Sequence, residues 1–356
     1  MDDAYRAQLR SNLALIAPGT ALRDGLDRIV HGRTGALIVL GHTPAVERIS
    51  TGGFAIDVAL SATALRELAK MDGAILVTGD LSRIVHAGVH LMPDAQVPTD
   101  ETGTRHRTAD RVSRLTGVPV ITVSASMSSI ALFIDGQRYV VQRPEHLLTR
   151  ANQALATLSR YRDRLAEAAA RLTGLEIQDT VTVRDVAQVA QRAEMVRRLQ
   201  SEIDDYVVEL GVDGRLVDLQ VQELVTGLGA LTTALERDYG RDESPVSMAA
   251  LARTDPDELL DPARVAQRIG LSHDGALDGR LHARGHRQLA QIGRLPPQTA
   301  ERLVQRFGTL QGLFGASTSD LVEVQGVDHA TARAIREGLA RLTEASFHDR
   351  SGLPTS

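Results

Sequence analysis

From residue 185 to residue 210 the chain contains neither glycine nor proline. Val186, Val189, Ala193, Val196, Ile203, Val207 and Leu210 recur three and four apart along it, a stripe that only Gln200 breaks. A strand would need a period of two, so the stripe specifies a long amphipathic helix. Helical patterning extends from about residue 145 to about residue 240. A run of this length suits an ordinary bundle helix or a spine packed on a neighbouring chain.

The residues before it read differently. Short apolar runs at 35–40, 75–77, 84–87, 120–124, 131–134 and 138–141 have the character of strands. Between them lie helical segments at 11–30, interrupted by Pro18-Gly19-Thr20, at 61–70, with Ser61 as a cap, and at 109–116. Alternating strands and helices with continuous apolar runs predict an α/β domain, a central mixed sheet flanked by helices. Residues 240–280 carry loop signals, with Thr254-Asp255-Pro256 as a helix start. The tail holds an internal echo. Gln291-Ile292-Gly293-Arg294-Leu295-Pro296 precedes a helix at Pro297–Phe307, and Val324-Gln325-Gly326-Val327-Asp328 precedes one at His329–Leu342. The expected organisation is an α/β domain at 1–145, an all-α spine at 146–280, a tandem hairpin domain at 281–345 and a flexible tail at 346–356.

Composition removes several kinds of chemistry. Cysteine is absent, which excludes disulfides, iron–sulfur clusters, thiolate zinc sites and cysteine nucleophiles. Tryptophan is absent and aromatics are 3%, so bases have few platforms to stack on. A net charge of −5 argues against coating DNA electrostatically and leaves local contacts. Lys70 is the single lysine and lies in Ala-Lys-Met-Asp, so no P-loop of the Gly-Lys-Ser/Thr kind exists. No apolar run reaches the ~18 residues of a membrane helix. The first residues bear acids with no apolar stretch behind them, so a cytoplasmic protein without a signal peptide is expected.

Two strings carry the chemistry. Asp72-Gly73-Ala74 begins an apolar run: a carboxylate at a strand mouth can bind Mg²⁺ or Mn²⁺ or polarise a hydroxyl, and Gly73 and Ala74 leave the backbone bare for a ligand. Taken alone, Asp-Gly is also a common turn. Thr104-Arg105-His106-Arg107-Thr108 sits in a Gly/Thr-rich loop and packs two guanidinium forks, an imidazole and two hydroxyls ahead of a helix. Arginine forks bind phosphate oxygens in pairs, and the amides before a helix add a positive dipole end. Taken alone, this string is also a basic turn capping its helix. The two together form the inventory of a site for a nucleoside triphosphate and its metal.

The stretches Gly35–Gly41, Leu68–Ala74 and Thr102–Thr108 resemble the diadenylate cyclase domain, and the helical middle and tail resemble the DNA integrity scanning branch of that family. The resemblance implies condensation of two ATP into cyclic di-AMP. It implies Asp72 as catalytic and metal-linked carboxylate, with Arg105, His106 and Arg107 in the catalytic set. By the same resemblance Gly73, Ala74, Leu91, Thr104, Thr108 and Ser124 join them as ATP contacts, with Leu91 an apolar wall for adenine. The tail resembles tandem helix-hairpin-helix units, which implies that Arg294, Gly326 and Val327 hold a DNA backbone, branched DNA in this branch, and that the assembly is a homo-octamer. One departure stands out: relatives often carry charged residues after the strand ending at Ser124, where this chain reads Ala125-Ser126-Met127-Ser128. Either those contacts are lost or another arginine, such as Arg83, supplies them. The alternative to an enzyme is a DNA-repair scaffold that binds nucleotide as a sensor without turnover. His42, His86 and His90 could line the site, or serve as packing and surface residues.

Overall fold

The computed structural model describes residues 3–241, 244–272, 274–293 and 295–348. Contacts divide them into two compact units. The first holds residues up to Gln153 together with Ile203–Leu219, and the second holds Ala154–Glu202 and residues from Gln220 onward.

The first unit opens with α1 (Asp3–Leu15) and α2 (Ala21–His31). Pro18-Gly19-Thr20 parts them, and Thr20 caps α2 by accepting the Arg23 amide at 3.1 Å. Then follow β1 (Ala36–Leu40), α3 (Pro44–Arg48), β2 (Ser50–Thr51), β3 (Phe54–Ala59), α4 (Ala62–Leu68), β4 (Ala74–Val77) and β5 (Arg83–Leu91). After them come α5 (Thr104–Thr116), β6 (Val120–Ser124), β7 (Ser129–Ile134) and β8 (Gln137–Val140). Ser61 caps α4, accepting the Ala64 amide at 3.2 Å, as its position before an apolar stripe predicts.

The strands form one mixed sheet in the order β2-β5-β4-β1-β6-β7-β8, with β3 also on β5. Only β1 and β4 run parallel. The sheet is buried on both faces. Ile38, Ile75, Ile121 and Leu132 pack against Leu22, Leu26 and Leu65 from α2 and α4. Leu37, Leu76, Val120 and Phe133 pack against Val46, Ala109 and Val112 from α3 and α5. Burial on both sides explains why these strands read as unbroken apolar runs. The sequence reading misses β3: it is largely exposed and preceded by Gly52-Gly53, so no apolar pattern marks it.

In the second half of the chain α6 (Pro144–Ile177) and α7 (Val183–Leu210) are the long helices. The expected boundary at residue 145 falls inside the first turn of α6. Along α7 the stripe Val186, Val189, Ala193, Val196, Ile203 and Leu210 is buried, while Val207 is half-buried. Next come α8 (Arg215–Val225), α9 (Leu228–Tyr239), α10 (Pro256–Leu259), α11 (Pro262–Arg268) and α12 (His286–Leu289). The last are α13 (Pro297–Phe307), α14 (Leu310–Gly315), α15 (Thr318–Val322) and α16 (His329–His348). α16 continues to His348, three residues into the tail expected from residue 346; residues 349–356 lie outside the described residues.

A buried polar network holds the second unit together. Asp238, 1% exposed, accepts the Gly285 and His286 amides at 2.7 and 2.6 Å on one oxygen and the Arg287 amide at 2.9 Å on the other. Glu176 on α6 accepts Arg287 Nη2 at 2.7 Å and the Tyr239 hydroxyl at 2.7 Å. Removing one partner from such a network strands the other in low dielectric.

Candidate functional site

Strand register places the sequence-predicted residues. β1 pairs with β4 in the order Ile38–Ile75, Val39–Leu76, Leu40–Val77, and with β6 from Ala36–Val123 to Val39–Val120. Ala74 faces Val89 across β4 and β5, and Ser124 faces Ser129 across β6 and β7. Gly35, one step ahead of the Ala36–Val123 pair, joins Ser124 and Ser129 in the last rung at one edge of the sheet. Because β4 runs parallel to β1, Asp72, two residues ahead of β4, lies at the same edge, its backbone beside Gly88. On the face that carries Leu37, Ala74, Val89 and Val120 the sheet is covered by Ala109 and Val112 of α5.

The helix α5 delivers the cations to this edge. The sequence reading puts Arg105-His106-Arg107 in a loop and begins the helix at Ala109; the structure begins it at Thr104, so all three lie in its first turn. Gly103 is the N-cap and offers no side-chain hydrogen bond, and the first turn closes through the Arg107 amide on the Gly103 carbonyl at 2.8 Å. Among the described residues the amides of Thr104, Arg105 and His106 have no partner, so the positive end of α5 is open. Arg111 secures the preceding segment, donating to the Val97 and Ala95 carbonyls, each at 2.9 Å. The α5 C-terminus stops at Gly117, which takes a φ of 65°.

Arg105 lies flat against Gly35: a Cβ there would collide with its guanidinium. Gly35 is thus a seat that the sequence reading does not single out, and its only signal is a glycine directly ahead of β1. Arg105 and Arg107 are exposed and have no acidic partner among the described residues. His106 turns the other way. Its ring lies 6.0 Å from that of Phe133, and burial first, then the Arg138 and Arg105 charges, lowers its pKa below 6.5. His106 is therefore a packing ring, and Arg105 and Arg107 are the exposed cations of the string. The Thr108 hydroxyl donates to the Thr104 carbonyl at 2.9 Å, so its proton is spent inside the helix. Ser124 accepts the Met127 amide at 3.3 Å and closes the turn to β7.

Asp72 is exposed at the mouth of β4. Gly73 takes a φ of 103°, and a Cβ on it would stand 2.6 Å from the Gly88 carbonyl carbon and 2.9 Å from the Val89 amide. The neighbour that requires glycine there is strand β5, in place of the ligand that the sequence reading invokes. The two strands approach this closely because β5 bulges: the pairing moves from Ala74–Val89 to Leu76–His86. Ala74 is fully buried, so only its backbone lies within reach of the edge. Leu91 is half-buried on the same core.

Other candidates fall elsewhere. Arg83 begins β5, at the end remote from Leu91, and binds Asp57 Oδ1 at 2.5 Å, so it does not supply the cation missing from the 125–128 turn. His42, past the opposite end of β1, and His86 on β5 lie 5.2 Å apart with their rings tilted by 43°, while His90 is exposed beside Thr51. Among the described residues no group of three His, Asp or Glu is placed to hold a metal ion. Asp72 alone can give one or two oxygens to Mg²⁺, which keeps waters and takes its remaining ligands from substrate phosphates.

In the tail, Gly326 takes a φ of 91°, with the Gln325 carbonyl accepting Arg302 Nη1 at 2.8 Å. Val327 is buried and its amide donates to the Val324 carbonyl at 3.0 Å, so it is not one of the exposed amides that the sequence reading expects. Asp328, where many hairpins carry a second glycine, caps α16 by accepting the Thr331 amide at 2.7 Å. Arg294 lies outside the described residues.

Three family models cover the chain in succession. The DisA bacterial checkpoint controller nucleotide-binding model matches residues 23–138, its linker region 141–277, and the SAM-like helix-hairpin-helix tandem 287–341. Fold and site together define a class: a nucleotide-binding domain on a mixed sheet, a helical linker and a DNA-binding type of tandem hairpin. The chain is 54% identical over 356 residues to the DNA integrity scanning protein DisA of Parafrankia sp. (strain EAN1pec), covering 98% of both. It is 54% identical over 351 residues to that of Acidothermus cellulolyticus (96% of this chain, 95% of the relative) and 51% over 350 residues to that of Streptomyces coelicolor (96% and 94%). The chain belongs to the DisA family. Among the described residues no helix is long and apolar enough to cross a membrane.

Proposed function

We propose that the chain is a diadenylate cyclase that condenses two ATP into cyclic di-AMP and two pyrophosphates across the facing surfaces of two copies, in the cytoplasm, and that its tail senses branched DNA. The observation that supports this is the shared edge of the sheet, where Asp72 precedes β4 and Arg105, at the open start of α5, lies against Gly35 ahead of the parallel strand β1. Each 3′-hydroxyl attacks the α-phosphorus of the other ATP; one P–O bond forms, the bond to the β-phosphate bridging oxygen breaks, and pyrophosphate leaves. Asp72 orients the hydroxyl and takes its proton, directly or through water. Arg105 and Arg107, with the α5 amides, hold the phosphates in line and offset the charge that develops on the leaving group. Asp72 would hold Mg²⁺ or Mn²⁺, which would supply further charge neutralisation at the phosphates. Leu91 bounds the base.

One chain offers one such site, and the product is two-fold symmetric, so two chains must face each other. The octamer follows from the family resemblance. For the tail, the glycine conformation at 326 suits backbone-to-phosphate contact, which reads no sequence.

A second reading, a nucleotide sensor without turnover, draws on the uncharged 125–128 turn and on Arg83 being held by Asp57. One experiment separates them: incubation with ATP and Mg²⁺ or Mn²⁺, then chromatography for cyclic di-AMP. Turnover is expected, and Asp72→Asn is expected to lose at least a hundredfold of it while keeping its melting midpoint. Bound ATP with no product favours the sensor. A rate equal with and without a Holliday junction removes the DNA-sensing part.

A further inference from the structure

The second unit contains a cleft of about 550 Å³, lined by Arg241, Arg280 and Arg284 together with His282, Ser244 and Thr309. That is within the ordinary range of small-molecule sites. Leu271 and Leu281 give it an apolar wall. None of the three guanidinium groups has an ion pair or a hydrogen bond among the described residues. His282 is already bonded to Asp179, at 2.8 Å. In a chain with a net charge of −5, three arginines around one concavity that pair with no carboxylate among the described residues concentrate positive charge there.

Arg284 is the informative member. It is half-buried, and a half-buried guanidinium without an acceptor is costly unless something outside the chain neutralises it. Its charge is felt next door, where it is among the causes, after burial, that lower the His286 pKa. The one carboxylate in the lining, Asp238, does not answer it: both its oxygens are taken by the amides of Gly285, His286 and Arg287.

The cleft borders the tandem hairpin region but lies away from its Gly326 turn. It takes in Gly308 and Thr309, just past the C-terminus of α13. Gly326 instead adjoins Thr299 and Arg302 in the first half of that helix. A helix of 11 residues spans ~16 Å, so the two features lie toward opposite ends of it.

We propose that this cleft is a second anion site, which takes a small phosphate-bearing molecule of nucleotide size on Arg241, Arg280 and Arg284. The proposal is independent of the reaction assigned to the first unit. The test is a calorimetric titration of the full chain with inorganic tripolyphosphate. Two classes of site are expected. Arg280→Gln with Arg284→Gln weakens one class about a hundredfold, about tenfold per charged contact, and leaves the other unchanged. Arg105→Gln weakens the other class alone. Should the double variant fail to fold, as judged by circular dichroism, the exposed Arg241→Gln is expected to weaken the same class about tenfold. A single class that responds to Arg105→Gln only, or equal binding by all variants, overturns the proposal. So does a double variant that loses duplex DNA affinity while keeping its tripolyphosphate titration, because the arginines would then serve a nucleic-acid backbone.

Discussion

A Cβ at residue 73 would stand 2.6 Å from the Gly88 carbonyl carbon, on a backbone already at a φ of 103°. The demand for glycine next to Asp72 is thus set by the sheet, and Asp72 inherits its position from β4 and β5 packing backbone to backbone. Gly73→Ala is expected to cost about 2–4 kcal/mol in chemical denaturation, since both strain and overlap must be relieved by backbone movement. An unchanged unfolding midpoint would show that the overlap is relieved freely. At His106 the sign of a pH effect follows from burial. The folded chain binds its proton less readily than the unfolded chain, whose histidine titrates near 6.5. Its contribution is therefore fully present above that value and is lost as the pH falls through it. The melting temperature of His106→Gln is expected to fall less between pH 7.5 and pH 5 than that of the native chain, and parallel profiles would contradict this.

Among the elements, α5 has the most to do with the site, and its N-terminus is where sequence and structure part. Gly103 has no side chain to signal a cap, and Thr104 and Thr108 are poor helix formers, so the run reads as a loop until Ala109. By contrast Pro297–Phe307 is legible to the residue because proline marks its first position and glycine its end. The buried strands are legible as apolar runs; exposed β3 is not. The proposed site residues Asp72, Arg105 and Arg107 stand out as residue types. Their placement at one edge of the sheet is a product of sheet topology, which no local pattern encodes, and so are the seat at Gly35 and the inward turn of His106. The open end of α5 carries its own prediction. Gly103 has a φ of −82° and a ψ of 142°, the usual N-cap conformation. Gly103→Asp is expected to raise stability by about 1 kcal/mol by capping the free amides, and to weaken ATP binding about tenfold because its carboxylate occupies the place of a phosphate. Thermal melting and equilibrium dialysis read the two effects. If stability and affinity rise together, the amides do not face the phosphates.

At the scale of the whole molecule, the proposed reaction, a symmetric product made by one site per chain, fixes how activity must scale with composition. When native chains are mixed with inactive Asp72→Asn chains at equal amounts and allowed to exchange, turnover is expected to fall to about a quarter, since both facing chains must be competent. A fall to one half would mean that each chain works alone. The second unit has a different duty, and the Asp238 network described above defines how it can perform it. Three backbone amides are fastened to a single shielded carboxylate at the joint between α9 and the root of the tandem hairpins. Moving that root relative to α9 therefore means breaking hydrogen bonds made in a low-dielectric interior, where they are strongest.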